Sequence, residues 1–311
     1  MSNGRTRTLY PFDWLMIGYP IMLIFLILGF GRPLTEYAHE IIVYTALAGF
    51  AALIAYYFDD NAGRWQAAIR LLYPAVMFGI YYRTTGGMMF LFFDQFYDWQ
   101  LTTFEKLIFG VNPTLYIDRH LLNVWVNEFF SLTYFLYYPM LPTFALVFLF
   151  RREYNVLKQA VFATGVAFFV SYLLFSLYPI EGPRWHYAAE YVNSIEGPIF
   201  RPMVELVIRE GAVRGGCMPS SHVAVALVLM MYCFKYLRRC GWVLLPINIG
   251  LAIGTFWGRF HYVSDVLVGG LIGLFATLLT WKYHDRWLKP AYKDEEERIE
   301  ESIECTRKSS I

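Results

Sequence analysis

The stretch GGCMPSSHVAVALVLMMYCF, residues 215–234, opens on glycines, a proline, two serines and a histidine and then runs to its end without a charge. At about 1.5 Å per residue an apolar run of this length matches the hydrocarbon core of a bilayer, so it reads as a membrane-crossing helix with its polar head at one face. Five further uncharged runs of similar length lie at 14–31, 41–58, 129–150, 159–180 and 240–258. A seventh crossing from Arg64 to about Phe93 contains Arg70 and Arg83, and an eighth from about Tyr262 to Trp281 carries Asp265 near its start. The expected fold is an all-α integral membrane protein of about eight transmembrane helices, with interfacial helices on the outer face.

Composition supports that reading and removes several function classes. With 57% apolar and only 16% charged residues, the chain is too hydrophobic for an ordinary soluble domain. Its formal charge of +1 offers no basic field for nucleic acid, so no nucleic-acid partner is expected. Cys217, Cys233, Cys240 and Cys305 form no CxxC pair, and neither structural metal nor redox chemistry is indicated. The N-terminus MSNGRTRTLYPFDW lacks a small-residue cleavage site and reads as an anchor instead of a removed signal peptide.

If the N-terminus is cytoplasmic, 17 of the 26 basic residues fall on inner segments, and the positive-inside rule then puts both termini in the cytoplasm. The segments 94–128 and 181–214 and the turn at Arg259 converge on the outer, extracytoplasmic side. FEKLIFGVNPTLYIDRHLLNVW (104–125) mixes charged and apolar residues around Asn112-Pro113 and is expected to lie along that surface as an interfacial helix pair. The chain divides accordingly into two N-terminal transmembrane helices (1–62), a membrane bundle (63–284) with the interfacial segment near 94–128, and a charged cytoplasmic tail (285–311).

Polar residues at membrane depth are costly, so those that occur are candidates for function. Pro219, Ser220 and Ser221 read as a helix start, with a serine capping and free backbone N–H groups that favour an anion. The plainer alternative is that the serines only cap and His222 is an interfacial histidine. In GRFHYVSD (258–265), His261 and Asp265 are four residues apart and share a helix face. A carboxylate there can accept from imidazole Nδ1–H and leave Nε2 with its lone pair, as a nucleophile requires. The alternative is a structural contact between helices. The chain descends from His222, turns at Lys235 to Arg239 and returns to His261, so both histidines reach the same outer depth.

Arg184, Arg214 and Arg259 are candidate donors to a phosphate, and Arg83 at the outer end of the third crossing is a fourth. His186 lacks a placed carboxylate and reads as structural, while His39 and His120 carry no signal. The aromatic segments TYFLYYP and FLFFDQFYDW read as interface belts and helix packing, or as the lining of a lipid-tail groove. Two histidines, a carboxylate, arginines and a helix N-terminus suit phosphoryl transfer, in which positioning and charge stabilisation do most of the work and no metal or other cofactor is required. His261 is then the nucleophile, Asp265 the residue that orients it and His222 the general acid, with Arg184, Arg259, Arg214, Ser220, Ser221 and Arg83 around the phosphate.

Pro219-Ser220-Ser221-His222 and His261 with Asp265 resemble, in order and separation, the second and third motifs of the type 2 phosphatidic acid phosphatase superfamily. The resemblance covers the last half of the chain and implies a metal-independent phosphoesterase with a histidine nucleophile and a six-helix catalytic core. The family's first motif, a lysine seven positions before Arg-Pro, is absent: Arg201-Pro202 is preceded by Ser194 at the lysine position. Where its third motif opens on Ser-Arg, this chain has Gly254-Thr255, and Arg184 and Arg259 are the expected replacements. These departures, the two added N-terminal crossings and the interfacial segment make the chain similar to the inositol-phosphorylceramide synthase branch. The expected substrate is a membrane phospholipid or sphingolipid, and a monomer supplies every group. A lipid transporter or binding protein is the rival from another class, and it predicts two related halves with broken helices, which the sequence lacks.

Overall fold

The computed structural model describes residues 9–31 and 33–284; the charged tail lies outside the described residues, as do Arg5, Arg7 and Arg32, which are among the 26 basic residues. The described chain is all-helical, with one isolated bridge between Ile180 and Gly216. Six helical stretches are long and apolar enough to cross a membrane: Pro11–Phe30, Leu34–Tyr57, Val124–Phe150, Tyr154–Leu177, Arg238–Trp257 and Val263–His284. The protein is a multi-pass membrane protein.

Two of the eight expected crossings take a different form. The helix α3 (Arg64–Thr85), after α1 (Pro11–Phe30) and α2 (Ala38–Tyr57), is long enough to cross but carries three arginines. Its Arg70 is only 1% exposed and forms a two-pronged ion pair with Asp13 of α1, which also accepts from Tyr73 Oη at 3.0 Å. Partners are required there, since removing one member of a buried pair leaves an uncompensated charge. The expected crossing at 215–234 is shorter than its uncharged run, because residues 215–220 form a loop and helix α11 covers only Ser221–Tyr236.

Between α3 and α11 the chain forms α4 (Asp98–Phe109), α5 (Pro113–His120), α6 (Val124–Phe135), α7 (Tyr137–Phe150), α8 (Tyr154–Leu177), α9 (Pro183–His186) and α10 (Phe200–Gly211). Proline opens α5 and α9, where its missing N–H has no helical partner to lose. Asn123 caps α6 by accepting from Trp125 N–H at 2.9 Å. Helix α8 is the centre of the bundle, packed against α1, α3, α7 and α11. After it come α11, α12 (Arg238–Trp257) and α13 (Val263–His284).

Small residues set how closely these last helices approach. A Cβ at Gly250 or Gly254 of α12 would meet Thr133 Cγ2 at 2.6 Å or the Phe130 carbonyl oxygen at 2.8 Å, both on α6. A Cβ at Gly269 or Gly273 of α13 would sit 2.3 Å from the carbonyl oxygens of Ser220 and Ala224. Both pairs are spaced four apart on one helix face, the arrangement that lets membrane helices pack backbone to backbone. The start of α13 is thereby held against the start of α11, and the end of α12 against α6.

Candidate active site

His261 follows α12 at a turn in which Phe260 N–H and His261 N–H both donate to the Thr255 carbonyl, at 2.9 and 3.1 Å. Arg259 makes that turn with φ 66°, a left-handed conformation that favours glycine, so the side chain is kept there against a backbone preference. His261 Nδ1 donates to the Cys217 carbonyl at 2.8 Å and lies 3.4 Å from Asp265 Oδ2. A carbonyl can only accept, so the Nδ1 proton is fixed and Nε2 presents the lone pair. The expected carboxylate partner is present, but the shorter bond is to the backbone. Asp265 Oδ2 also accepts from Tyr262 N–H and from the Cys217 thiol, each at 2.8 Å.

His222 stands in the first turn of α11, its ring centroid 5.8 Å from that of His261. The two rings meet edge to face, tilted by 65°. His222 Nε2 lies 3.3 Å from Tyr134 Oη, and its Nδ1 is buried without a hydrogen-bond partner. Tyr134, Tyr137 and Tyr138 pack around the imidazole at centroid distances of 5.3, 4.6 and 6.3 Å. These tyrosines come from TYFLYYP, whose aromatic run indicated packing but gave no sign of a contact to His222. Ser220 is the N-cap residue, yet its side chain makes no capping bond; its N–H instead donates to the Asp265 carbonyl at 3.0 Å. The expected serine cap is therefore replaced by a backbone tie to α13. Ser220 Oγ is buried and unpartnered, and Ser221 is buried beside it.

A small open cleft reaches both histidines, and Arg184, Trp185, Cys217 and Phe260 also line it. Arg184 grips Glu205 through both Nη atoms, at 3.2 and 2.6 Å, and Arg201 Nη2 donates to the same carboxylate. The Arg201 guanidinium lies 5.3 Å from the centroid of Phe260, which itself stacks 4.7 Å from Tyr134. Burial, together with the like charges of Arg184 and Arg259, brings Arg201 down to about 10 against the pull of Glu205. Arg201 Nε is buried without a partner. The sequence drew attention to Arg201-Pro202 and set it aside because Ser194 stands seven positions earlier; folding brings this arginine next to Arg184 all the same.

Arg259 donates to Asp118 Oδ1 at 2.5 Å and to the Asn193 carbonyl at 2.7 Å, with its guanidinium 3.8 Å from the Tyr191 centroid. Arg214 is exposed and paired with Glu181. Arg83 is exposed and reaches the Glu210 and Gly211 carbonyls at 3.3 and 3.4 Å. Arg184 thus lines the cleft, whereas Arg259, Arg214 and Arg83 do not.

Four acids hold the surrounding loops, with partners that no motif or spacing in the chain indicates. Asp98 accepts from the N–H groups of Glu181 and Gly182 at 2.7 and 2.9 Å and from Tyr262 Oη at 2.8 Å. Glu105 accepts from Ser264 N–H and Oγ at 2.7 and 2.9 Å, capping α13, and its burial pushes the carboxyl up. Asp118 accepts from Val192 and Asn193 N–H, and Glu128 from Ile199, Phe200 and Arg201 N–H. The segment expected to lie along the surface therefore also fastens the loops that carry Arg184, Arg201 and His261.

Cys217 Sγ, His261 Nδ1 and Asp265 Oδ2 lie within 4.8 Å of one another, the kind of grouping that can hold a metal ion. Each atom is engaged in a hydrogen bond, and a metal would need the Nδ1 lone pair that the proton occupies, so the trio fits a positioning network better than a metal centre.

Residues 100–279 match the family model described as the PAP2 superfamily. A PA-phosphatase related-family protein of Dictyostelium discoideum is 28% identical over 127 residues, which cover 39% of this chain and 23% of that protein. The bacitracin transport permease protein BcrC of Bacillus licheniformis is 27% identical over 63 residues, 20% of this chain and 31% of its own length. The chain spans less than a third of the length of either relative. No solved structure matches it. These similarities reach the superfamily and do not single out the inositol-phosphorylceramide synthase branch. The family match runs from within α4 to within α13 and takes in more than half of the chain, both histidine motifs and every residue of the cleft from Tyr134 to His261, and on that ground the chain belongs to the PAP2 superfamily.

Proposed function

We propose that the protein is a membrane lipid phosphoesterase that works through a covalent phosphohistidine at His261, on a lipid phosphoester at the extracytoplasmic face. The observation that carries this reading is the pairing of two imidazoles at one cleft, His261 buried and His222 half-buried, with His261 held so that Nε2 is free. In the first half-reaction the Nε2 lone pair attacks phosphorus, the bond to the leaving oxygen breaks, and that oxygen takes a proton from His222. His222 acts as the imidazolium: it gives up one ring proton, from the unpartnered Nδ1, and is left as the neutral ring with Nε2 facing Tyr134 Oη. Arg184, which lines the cleft and is linked through Glu205 to Arg201, balances charge on the equatorial oxygens together with the open first turn of α11. In the second half-reaction an acceptor hydroxyl gives its proton back to His222 and attacks phosphorus as the P–N bond breaks.

Water as acceptor gives a phosphatase, and a lipid hydroxyl gives a phospho-headgroup transferase of the inositol-phosphorylceramide synthase kind, on a phospholipid or sphingolipid. Apolar residues on the cleft wall, Trp185, Ile208 and Val213 among them, favour an acceptor that is itself a lipid. The decisive assay supplies purified protein with a phosphorus-labelled phospholipid, with and without ceramide or diacylglycerol. Acid-labile, alkali-stable label on the protein is expected for wild type and none for His261→Asn, which abolishes turnover. His222→Ala is expected to lower turnover by about 10²–10⁴, most for poor leaving groups. Label retained on the His261 variant overturns the mechanism.

A further inference from the structure

Glu205 stands behind the cleft wall and grips Arg184, which lines it. It is the one carboxylate that both Arg184 and Arg201 contact, and its side chain is 34% exposed. Arg184 and Arg201 outweigh the effect of burial and hold its carboxyl below the ordinary range, so it is charged when the site works. Three guanidinium groups, Arg184, Arg201 and Arg259, influence one another here. Against them stand two carboxylates, Glu205 and Asp118. Arg259 and Asp118 cancel each other away from the cleft, so Arg184 and Arg201 against Glu205 leave a single unit of positive charge. Arg201 Nε is buried and without a partner.

A phosphodiester carries one negative charge near neutral pH and a phosphomonoester nearly two, its second pKa being about 6. One surplus positive charge balances the diester. A monoester leaves an extra negative charge beside Glu205, and like charges facing each other in a partly desolvated site are strongly unfavourable. We infer that Glu205 is a built-in counter-anion that tunes the cleft to singly charged phosphodiesters and against doubly charged phosphomonoesters. The inference rests on the phosphoesterase reading above and names its substrate class. It makes Glu205 a specificity-determining residue.

The experiment compares kcat/KM for phosphatidylglycerol, a diester with an uncharged head group, and phosphatidic acid, a monoester, in the same neutral mixed micelles at about pH 8, where the monoester is fully ionised. Wild type is expected to favour the diester by about tenfold or more, which is about 1.4 kcal/mol. Glu205→Gln is expected to reduce that ratio by about tenfold, and Glu205→Asp, which keeps the charge, to hold it within about twofold. A wild-type preference for phosphatidic acid overturns the inference, and so does a turning-over Glu205→Gln enzyme with an unchanged ratio. Should Glu205→Gln fail to fold, competition by dimethyl phosphate and methyl phosphate against wild type reads the same preference, and tighter binding of the doubly charged ion overturns it. His261→Asn is run with both lipids: turnover there sinks the histidine mechanism, whereas a lost selectivity with a dead His261 variant sinks the Glu205 inference alone.

Discussion

Replacing Gly269 by alanine puts a methyl carbon 2.3 Å from the Ser220 carbonyl oxygen, 3.1 Å from its carbon and 3.3 Å from its Cα. All three atoms are backbone, so no side chain can rotate out of the way. An unstrained contact lies at about 3.5 Å, and α13 must therefore back away from the start of α11 by about 1 Å. Forced overpacking of this kind costs about 1–3 kcal/mol. The gain in helix propensity from glycine to alanine, about 0.5–1 kcal/mol, offsets only part of it. The larger effect is on function, because the two helices carry the two halves of the site: His222 rides on α11, while Asp265 and the His261 turn ride on α13. A 1 Å misplacement of reacting groups lowers a rate by about 10²-fold. Gly270, the next residue, has nothing within 4 Å of its would-be Cβ and serves as the control. Thermal unfolding in detergent and lipid phosphate release or transfer are measured for both variants. Gly269→Ala is expected to unfold earlier and to lose about 10² in kcat, while Gly270→Ala matches or slightly exceeds wild-type stability. Equal activity and equal unfolding temperature in the two variants would refute the packing account of how the histidines are brought together.

Three further perturbations address other parts of the site. Tyr134→Phe removes the hydroxyl 3.3 Å from His222 Nε2 and leaves a buried ring nitrogen unpaired, so kcat is expected to fall about tenfold or more, with KM little changed; equal rates for good and poor leaving groups in this variant would show that the hydroxyl does not act through the acid. Cys217→Ser keeps a donor for Asp265 Oδ2 and should stay near wild-type activity, whereas Cys217→Ala, which keeps the backbone carbonyl on His261 but loses the thiol, should lose several-fold; identical behaviour of the two would remove the thiol from the network. Glu205 has its folded carboxyl held below the ordinary value of 4.5, so its contribution to stability is present above that value and is lost as pH falls through the folded one. Acid titration of the unfolding temperature should accordingly show a steeper fall below about pH 4.5 for wild type than for Glu205→Gln, and parallel curves would contradict the ion pairing.

Local chemistry made much of the architecture legible. Runs of about twenty uncharged residues identify membrane helices because the bilayer itself imposes the length and the polarity, whatever the helices pack against. The pairing of His261 with Asp265 is legible as a spacing of four, although His261 precedes α13 and meets the carboxylate across the turn that opens it, and so is the return path that brings His222 and His261 to one end. The Arg201 and Glu205 pair, four residues apart on α10, was within reach of the same rule. What the sequence could not rank were arginines: Arg184, Arg214, Arg259 and Arg83 look alike on the chain, and Arg201 was discounted by a motif count. Their fates were decided by which acid each met, Glu205 for Arg184 and Arg201, Asp118 for Arg259 and Glu181 for Arg214. Asp13 and Arg70 pair across 57 residues, Arg259 and Asp118 across 141, and Tyr262 and Asp98 across 164. Residue types and short spacings thus determine where helices form and which few groups can do chemistry. The neutralised arginines, the Cys217 carbonyl on His261 and the tyrosines around His222 arise only when distant helices close on one another, because burial leaves each charge or polar atom only the partners that packing brings within reach.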